Sequence, residues 1–325
     1  MVRKRIPDHD FRNIMRGMFD PLATQAHHSA LRSISRVVEE TTAPMEEGAA
    51  LEGVVKLLEA GSVLAVTGAG VSTDSGIPDY RSPRGSLNQG RPMTYQEFRF
   101  DPVASHRYWA RSFVGWRVMA DAQPNRTHYA LVELERAGLL SGIVTQNVDG
   151  LHRRAGSENL VALHGDLATI VCLQCGHREA RELLDARLDH LNPGYFDSIA
   201  LDPSAVNPDG DVTLDDHHVQ RFTMAGCARC GSVLLKPDVV YFGEPVPSIR
   251  KTRVAQLLDG ADAVVVAGSS LAVMSGYRIV IEAQRAGKPV AVINGGPGRA
   301  DHRVDILWRT RVGPAFDQIL DALDL

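Results

Sequence analysis

Apolar residues follow two periods along this chain. At Leu51, Val54, Val55 and Leu58 they recur at i, i+3, i+4 and i+7, the stripe of an amphipathic helix, and Gly61 stops it. Val63-Leu-Ala-Val-Thr67 follows as a short unbroken apolar run, the pattern of a parallel strand buried on both faces. The pairing recurs. A helical stretch from Tyr129 to Ala137 and Gly138 precede Ile143-Val-Thr145; Ala263 to Ala267 precede a helix from Tyr277 to Arg285, Gly287 and Val290 to Ile293. Helices alternating with buried strands predict an α/β fold built on a Rossmann-like, doubly wound parallel sheet. Residues 1–45 carry weak periodicity and mixed charge, and read as a partly helical or disordered extension. The acids Asp8, Asp10 and Asp20 argue against a transit peptide there.

In doubly wound sheets, ligands sit beyond the carboxyl ends of the strands, so the residues leaving each strand are candidates for the site. Gly68-Ala-Gly70 leaves the first, Gln146-Asn-Val-Asp149 the second, Gly268-Ser-Ser270 the third and Asn294-Gly-Gly296 the fourth. Glycines let the backbone approach a pyrophosphate, and a following helix N-terminus supplies N–H donors. Thr73 stands where a dehydrogenase would have its third glycine, so the hydride-transfer signature is incomplete. Four polar or glycine-rich exits in one sheet point to a long, polar, phosphate-containing ligand.

Composition narrows the class further. The 325 residues carry 35 Lys+Arg against 39 Asp+Glu, a net charge of −4, which argues against dedicated nucleic-acid binding. The longest apolar runs fall far short of the roughly 20 residues a membrane crossing needs. The four cysteines form Cys172-Leu-Gln-Cys175 and Cys227-Ala-Arg-Cys230, each knuckle followed by glycine. Two such pairs bring four thiolates to one ion, so one structural Zn2+ is expected in preference to two disulfides or a redox pair. Four sulfurs leave no open position for a catalytic water. The 51 residues 176–226 between the knuckles exceed the usual ribbon spacing and imply an inserted subdomain. Leu191-Asn-Pro-Gly194 and Pro208-Asp-Gly-Asp211 make it read as irregular structure.

The run Gly68-Ala-Gly-Val-Ser-Thr-Asp-Ser-Gly-Ile-Pro-Asp-Tyr-Arg-Ser82 resembles the signature of the sirtuins, the NAD-dependent protein deacylases. The family pattern continues in order through Thr145-Gln-Asn-Val-Asp-Gly-Leu-His152, Leu163-His-Gly165, both cysteine pairs, Lys236 to Glu244, Gly268-Ser-Ser270 and Asn294, covering about residues 50 to 320. Arg107 to Trp116, Pro208 to Asp211 and the long insert are most similar to the class II branch that includes the mitochondrial lipoamidase/ADP-ribosyltransferase. Without a clear targeting peptide, a bacterial, cytoplasmic member is expected, or a mitochondrial matrix one if eukaryotic. The expected organisation is an extension over 1–45 and a catalytic domain over 46–325. Its NAD-binding parts would lie near 46–165 and 235–325, with a zinc module near 168–234.

The resemblance implies a chemistry. The acyl-lysine carbonyl oxygen attacks ribose C1′ of NAD+, nicotinamide leaves, and a base then activates a ribose hydroxyl. His164 matches the base, with an ordinary pKa of about 6.5 that leaves imidazole able to accept a proton near pH 7. Asn147 would orient the ribose and a water, and Asp149 would hold the nicotinamide carboxamide. Gly68, Ala69 and Gly70 would approach the pyrophosphate, with Gln146 in the neighbouring exit. Asp79 and Arg81 belong to the family's cofactor loop. Gly268, Ser269 and Ser270 would meet phosphate or ribose, Asn294 and Gly295 the adenosine end, and the backbone at Val312 the adenine. Val239 to Gly243, with Val240 and Phe242, resembles the strand that pairs with the acyl-lysine peptide, Tyr241 replacing the commoner Phe. Tyr108 and Arg111 match a Tyr-x-x-Arg pattern that reads acidic acyl groups; at i, i+3 they share a helix face, and Arg111 could pair with a carboxylate.

The function expected is NAD-dependent deacylation of protein lysines, acetyl or longer and acidic acyl groups passing to ADP-ribose. The partners are acylated proteins, with neither nucleic acid nor membrane among them. Protein mono-ADP-ribosylation is the alternative enzyme, and an NAD or ADP-ribose sensor the non-enzymatic one.

Overall fold

The computed structural model describes residues 20–82, 85–88, 91–200 and 206–325. In chain order the strands among them are β1 (Val63–Thr67), β2 (Leu140–Thr145), β3 (Leu160–Ala162), β4 (Gly165–Cys172), β5 (Arg178–Ala180), β6 (Leu235–Val239), β7 (Ala263–Ala267), β8 (Val290–Ile293) and β9 (Ile306–Trp308). The chain divides into two compact units of three segments each. One holds Arg36–Gln89, Asp121–Gly165 and Val246–Leu325; the other holds the described part of Met1–Ser35 with Gly90–Ala120 and Asp166–Pro245.

The first unit carries a six-stranded sheet in the order β3-β2-β1-β7-β8-β9, and every neighbouring pair is parallel. Numbered within the sheet this is 3-2-1-4-5-6, the doubly wound order. β1, β7 and β8 occupy the residues their apolar runs predict, and each is buried throughout, because strands covered on both faces need no alternation. Val63, Ala65, Ala263 and Val265 pack with Val54 and Leu58 of helix Glu47–Ala60 and with Phe316 and Ile319 of helix Val312–Ala322. Leu64, Val66, Val264 and Val266 pack with Ile279 and Val280 of helix Met274–Arg285 and with Leu257 and Leu258 of helix Ser248–Asp259.

Strand order reverses between β1 and β7, and there the two exits run against each other. Gly68 N–H donates to Ala267 O at 3.1 Å and Gly70 N–H to Gly268 O at 2.9 Å. A Cβ on Gly70 would stand 2.8 Å from Gly268 Cα, and Gly268 has φ of 61°, so close backbone approach is what these glycines supply. Two helices begin earlier than their periodicity predicts. Arg126–Arg136 starts ahead of Tyr129 because Asn125 caps it: Asn125 Oδ1 accepts from Thr127 N–H at 2.9 Å, and His128 Nδ1 accepts from Asn125 N–H at 3.2 Å. Met274–Arg285 likewise starts ahead of Tyr277.

The second unit carries a sheet in the order β5-β4-β6. Residues 91–120 belong here, although the sequence places them in the nucleotide-binding part. Helix Pro102–Asp121 explains why: Trp109 is 1% exposed and its indole N–H donates to Leu235 O at 3.1 Å. The insert between the knuckles is not wholly irregular. It forms helix Arg181–Leu191, which buries Leu184 and Leu188 one turn apart, while Pro208 to Asp211 are irregular as expected, with a turn at Pro208-Asp209. Arg181 is fully buried between the rings of Trp109 and Trp116, its guanidinium carbon 5.1 and 5.4 Å from their centroids, and donates to Ser112 O at 3.0 Å. The N-terminal extension includes helix Pro21–Ile34, capped by Asp20; its residues 1–19 lie outside the described ones. No described helix is long and apolar enough to cross a membrane.

Candidate active site

β3 ends at Ala162 and delivers His164 to the carboxyl end of the large sheet. Its half-buried ring is fixed at both nitrogens: Nδ1 lies 2.9 Å from Gln146 O and Nε2 lies 2.7 Å from Ser275 Oγ. A carbonyl only accepts, so the neutral ring carries its proton on Nδ1 and presents an acceptor lone pair at Nε2. Burial pushes the imidazole pKa down to about 4, and the nearby Arg250 cation adds to this. His164 is therefore neutral at pH 7, as a proton acceptor must be.

Gln146 is the hub that holds this ring. Its Nε2 donates to Ser269 Oγ at 2.9 Å and to Thr67 O at 3.2 Å, tying the β2 exit to those of β1 and β7. Gly276 leaves room for it, since a Cβ there would stand 2.4 Å from Gln146 Oε1.

Beside it runs a second chain of hydrogen bonds. Asn147 Nδ2 donates to Gly68 O and to Ser72 Oγ, both at 3.0 Å. Ser72 Oγ donates to Asp149 Oδ2 at 2.7 Å, and Asp149 Oδ1 accepts from Leu151 N–H at 2.9 Å. Ser72 is fully buried, so its hydroxyl serves to connect the amide to the carboxylate. The sequence reading missed Ser72, although it lies inside the glycine-rich run.

The remaining nucleotide candidates divide by what they offer. Asp79 closes a turn, its Oδ1 accepting from Arg81 N–H at 2.9 Å and Ser82 N–H at 2.7 Å. That turn presents Arg81, whose Nε and one terminal nitrogen are buried with no hydrogen-bond partner among the described residues. Burial and the nearby Arg36 cation lower its pKa. A desolvated guanidinium with open donors suits a phosphate, so the residues present fit the pyrophosphate of NAD+. Ser269 Oγ accepts from Gln146 and from Leu271 N–H at 3.2 Å, which leaves its own proton to donate. Ser270 O accepts from Arg299 N–H at 2.8 Å. Asn294 Nδ2 donates to Gly296 O at 2.7 Å, shaping the β8 exit that includes Gly295. The Val312 side chain is part of the core, so position 312 offers a ligand only its backbone.

The four cysteine sulfurs converge in the second unit. Cys172 Sγ to Cys230 Sγ is 3.7 Å, Cys175 Sγ to Cys227 Sγ is 3.8 Å, and all four lie within 4.8 Å of one another. Zinc held tetrahedrally at about 2.3 Å sets its sulfurs roughly 3.8 Å apart, so the cluster has the dimensions of a tetrathiolate zinc site. None of the four is in a disulfide.

The residues expected to meet substrate look different in three dimensions. Arg111 Nε donates to Val212 O and lies 3.0 Å from Asp211 Oδ1, whose carboxyl burial pushes up to about 8. Tyr108, 2% exposed, packs edge-on against Phe98 and Tyr241, with centroids at 5.2 and 5.6 Å. The Arg111 contacts engage only Nε of the guanidinium, while the Tyr108 ring is part of the packed interior. β6 ends at Val239, just short of Val240, and Phe242 O accepts from Tyr95 N–H at 2.8 Å. That bond ties the Phe242 backbone to the chain's own Thr94-Tyr95 segment.

Comparison with known proteins accords with this geometry. The family model described as "Sir2 family" matches residues 68–275. A Streptomyces coelicolor protein named NAD-dependent protein deacetylase 1 is 48% identical over 85% of this chain and 90% of its own length. The Drosophila melanogaster NAD-dependent protein deacylase Sirt4 is 41% identical over 82% of this chain and 84% of its own. Among solved structures, a Sir2 bound to a p53 peptide and NAD+ superposes with a TM-score of 0.64 at 26% identity, covering 84% of this chain and 98% of that one. Sir2Tm bound to a propionylated peptide gives the same TM-score at 25% identity, with the same coverage. With the doubly wound sheet, the oriented histidine and the tetrathiolate cluster already in place, these matches establish that the chain belongs to the Sir2 family.

Proposed function

We propose that this chain is an NAD+-dependent protein-lysine deacylase that passes the acyl group to ADP-ribose and releases nicotinamide. The observation that carries the reading is His164, neutral, with its proton fixed on Nδ1 by Gln146 O and its Nε2 turned to accept another. NAD+ would supply an electrophilic ribose C1′ with a leaving group that needs no acid. The chain's own residues then have three tasks. Arg81 would hold the phosphates with its open donors, and Gly68, Gly70 and Gly268 keep the crossed exits free of side chains beside them. Asn147, Ser72 and Asp149 present a fixed amide and carboxylate to the nicotinamide riboside end. His164 Nε2 takes the proton of the ribose hydroxyl that receives the acyl group.

His164→Ala is the direct test. Removing a positioned base costs about 100-fold or more in turnover. The expected variant keeps its zinc content and melting temperature but loses deacylation of an acetyl-lysine peptide by at least about that factor. Turnover equal to wild type would overturn the assignment.

A further inference from the structure

The base nitrogen of His164 is already occupied by a hydroxyl for which the chemistry above has no use. Ser275 Oγ lies 2.7 Å from Nε2, and because Nδ1–H is committed to Gln146 O, the serine must be the donor to the neutral ring. Ser275 is the second residue of helix Met274–Arg285, and its neighbour Gly276 is pressed against the side chain of Gln146. One helical turn therefore touches both partners of the imidazole, the carbonyl-bearing residue at Nδ1 and the lone pair at Nε2.

We propose that Ser275 is a positioning residue for the acyl-transfer step. This rests on the reading of His164 as the base. In the resting site its hydroxyl holds the lone pair in the direction from which the ribose hydroxyl must approach, so that the ring cannot turn away about its Cβ–Cγ bond. When the ribose hydroxyl arrives, Ser275 yields Nε2 by rotation about χ1. Once Nε2 carries the abstracted proton, the serine oxygen, which can accept as well as donate, is the nearest acceptor for that N–H. The serine forms and breaks no covalent bond. It gives a half-buried imidazole a partner in both protonation states, which an apolar residue at 275 could not.

The two chemical steps separate this role from a structural one. Nicotinamide release and its reversal by exchange need the electrophile placed but no base at the ribose hydroxyl, whereas acyl transfer needs His164. Ser275→Ala is expected to lower the acyl-transfer kcat roughly tenfold while nicotinamide exchange and KM for NAD+ stay within about twofold; Ser275→Thr, which keeps the hydroxyl, restores most of the rate. In the His164→Ala background, Ser275→Ala should cost nothing further, because a residue that acts through the histidine has nothing left to position. Equal losses in both steps, failure of threonine to rescue, or an additive loss in the double variant would each overturn the proposal. Deacylation that survives His164→Ala would instead remove the base reading on which it rests.

Discussion

At the scale of single residues, two buried histidines and one half-buried one do different work under one constraint. His164 presents Nε2 as an acceptor, while His128 caps the helix at Asn125 and His152 meets Thr67 Oγ1 at 2.8 Å beneath the glycine-rich exit. Burial lowers the pKa of His128 to about 4 and that of His152 well below its usual range. The unfolded chain takes up these protons near pH 6.5 and the folded chain does not, so their stabilisation is complete above pH 6.5 and is lost as pH falls towards 4. For the fully buried His128 the loss amounts to about 3 kcal/mol across that window. His128→Gln keeps an acceptor for Asn125 N–H but cannot titrate. Denaturant unfolding at pH 6.5 and 4.5 should show wild type losing more stability than the variant, by about 2–3 kcal/mol. Parallel losses would mean that His128 is not held neutral. His164 was legible in the sequence because Leu163-His-Gly165 is a family signature. Ser72 was not, because a serine among glycines carries no local mark of what it will touch.

At the scale of elements, legibility followed the source of each boundary. β1, β7 and β8 end where their apolar runs end, since burial on both faces alone defines them. The helices at 126 and 274 begin at residues that periodicity cannot see, one of them at a side-chain cap. Ser275 was missed for this reason: a helix read from Tyr277 leaves it outside, whereas the actual helix puts it in the first turn. Arg111 shows what spacing leaves out. Its i, i+3 relation to Tyr108 is legible, but its neighbour Asp211 lies 100 positions away and no local pattern announces it. The cysteine knuckles were legible because two short turns carry the whole ligand set. Removing the metal should therefore affect the element it ties together: chelation is expected to release one zinc per chain and lower the melting temperature by roughly 10 °C or more. Cobalt substitution should give a tetrahedral tetrathiolate spectrum with deacylation retained, since four sulfurs leave no catalytic position. Activity that followed the identity of the metal would contradict a structural role.

At the scale of the whole molecule, both units are discontinuous in sequence. The unit with the six-stranded sheet is assembled from three segments, and the unit with the cysteine cluster takes in residues 91–120 and helix Pro21–Ile34 as well as the knuckle region. The sequence marked the two kinds of unit but not this exchange of segments, because Trp109 and Gly115 find their partners Leu235 and Gly210 only after folding. Both candidate enzyme chemistries, deacylation and ADP-ribosyl transfer, would draw on the same electrophile, and they part at the product. Incubating the full chain with NAD+ and an acetyl-lysine peptide and weighing every product decides between them. Deacylation predicts free lysine peptide, nicotinamide and O-acetyl-ADP-ribose in equal amounts. Nicotinamide released with the peptide still acetylated and an ADP-ribosyl group added to protein would contradict it.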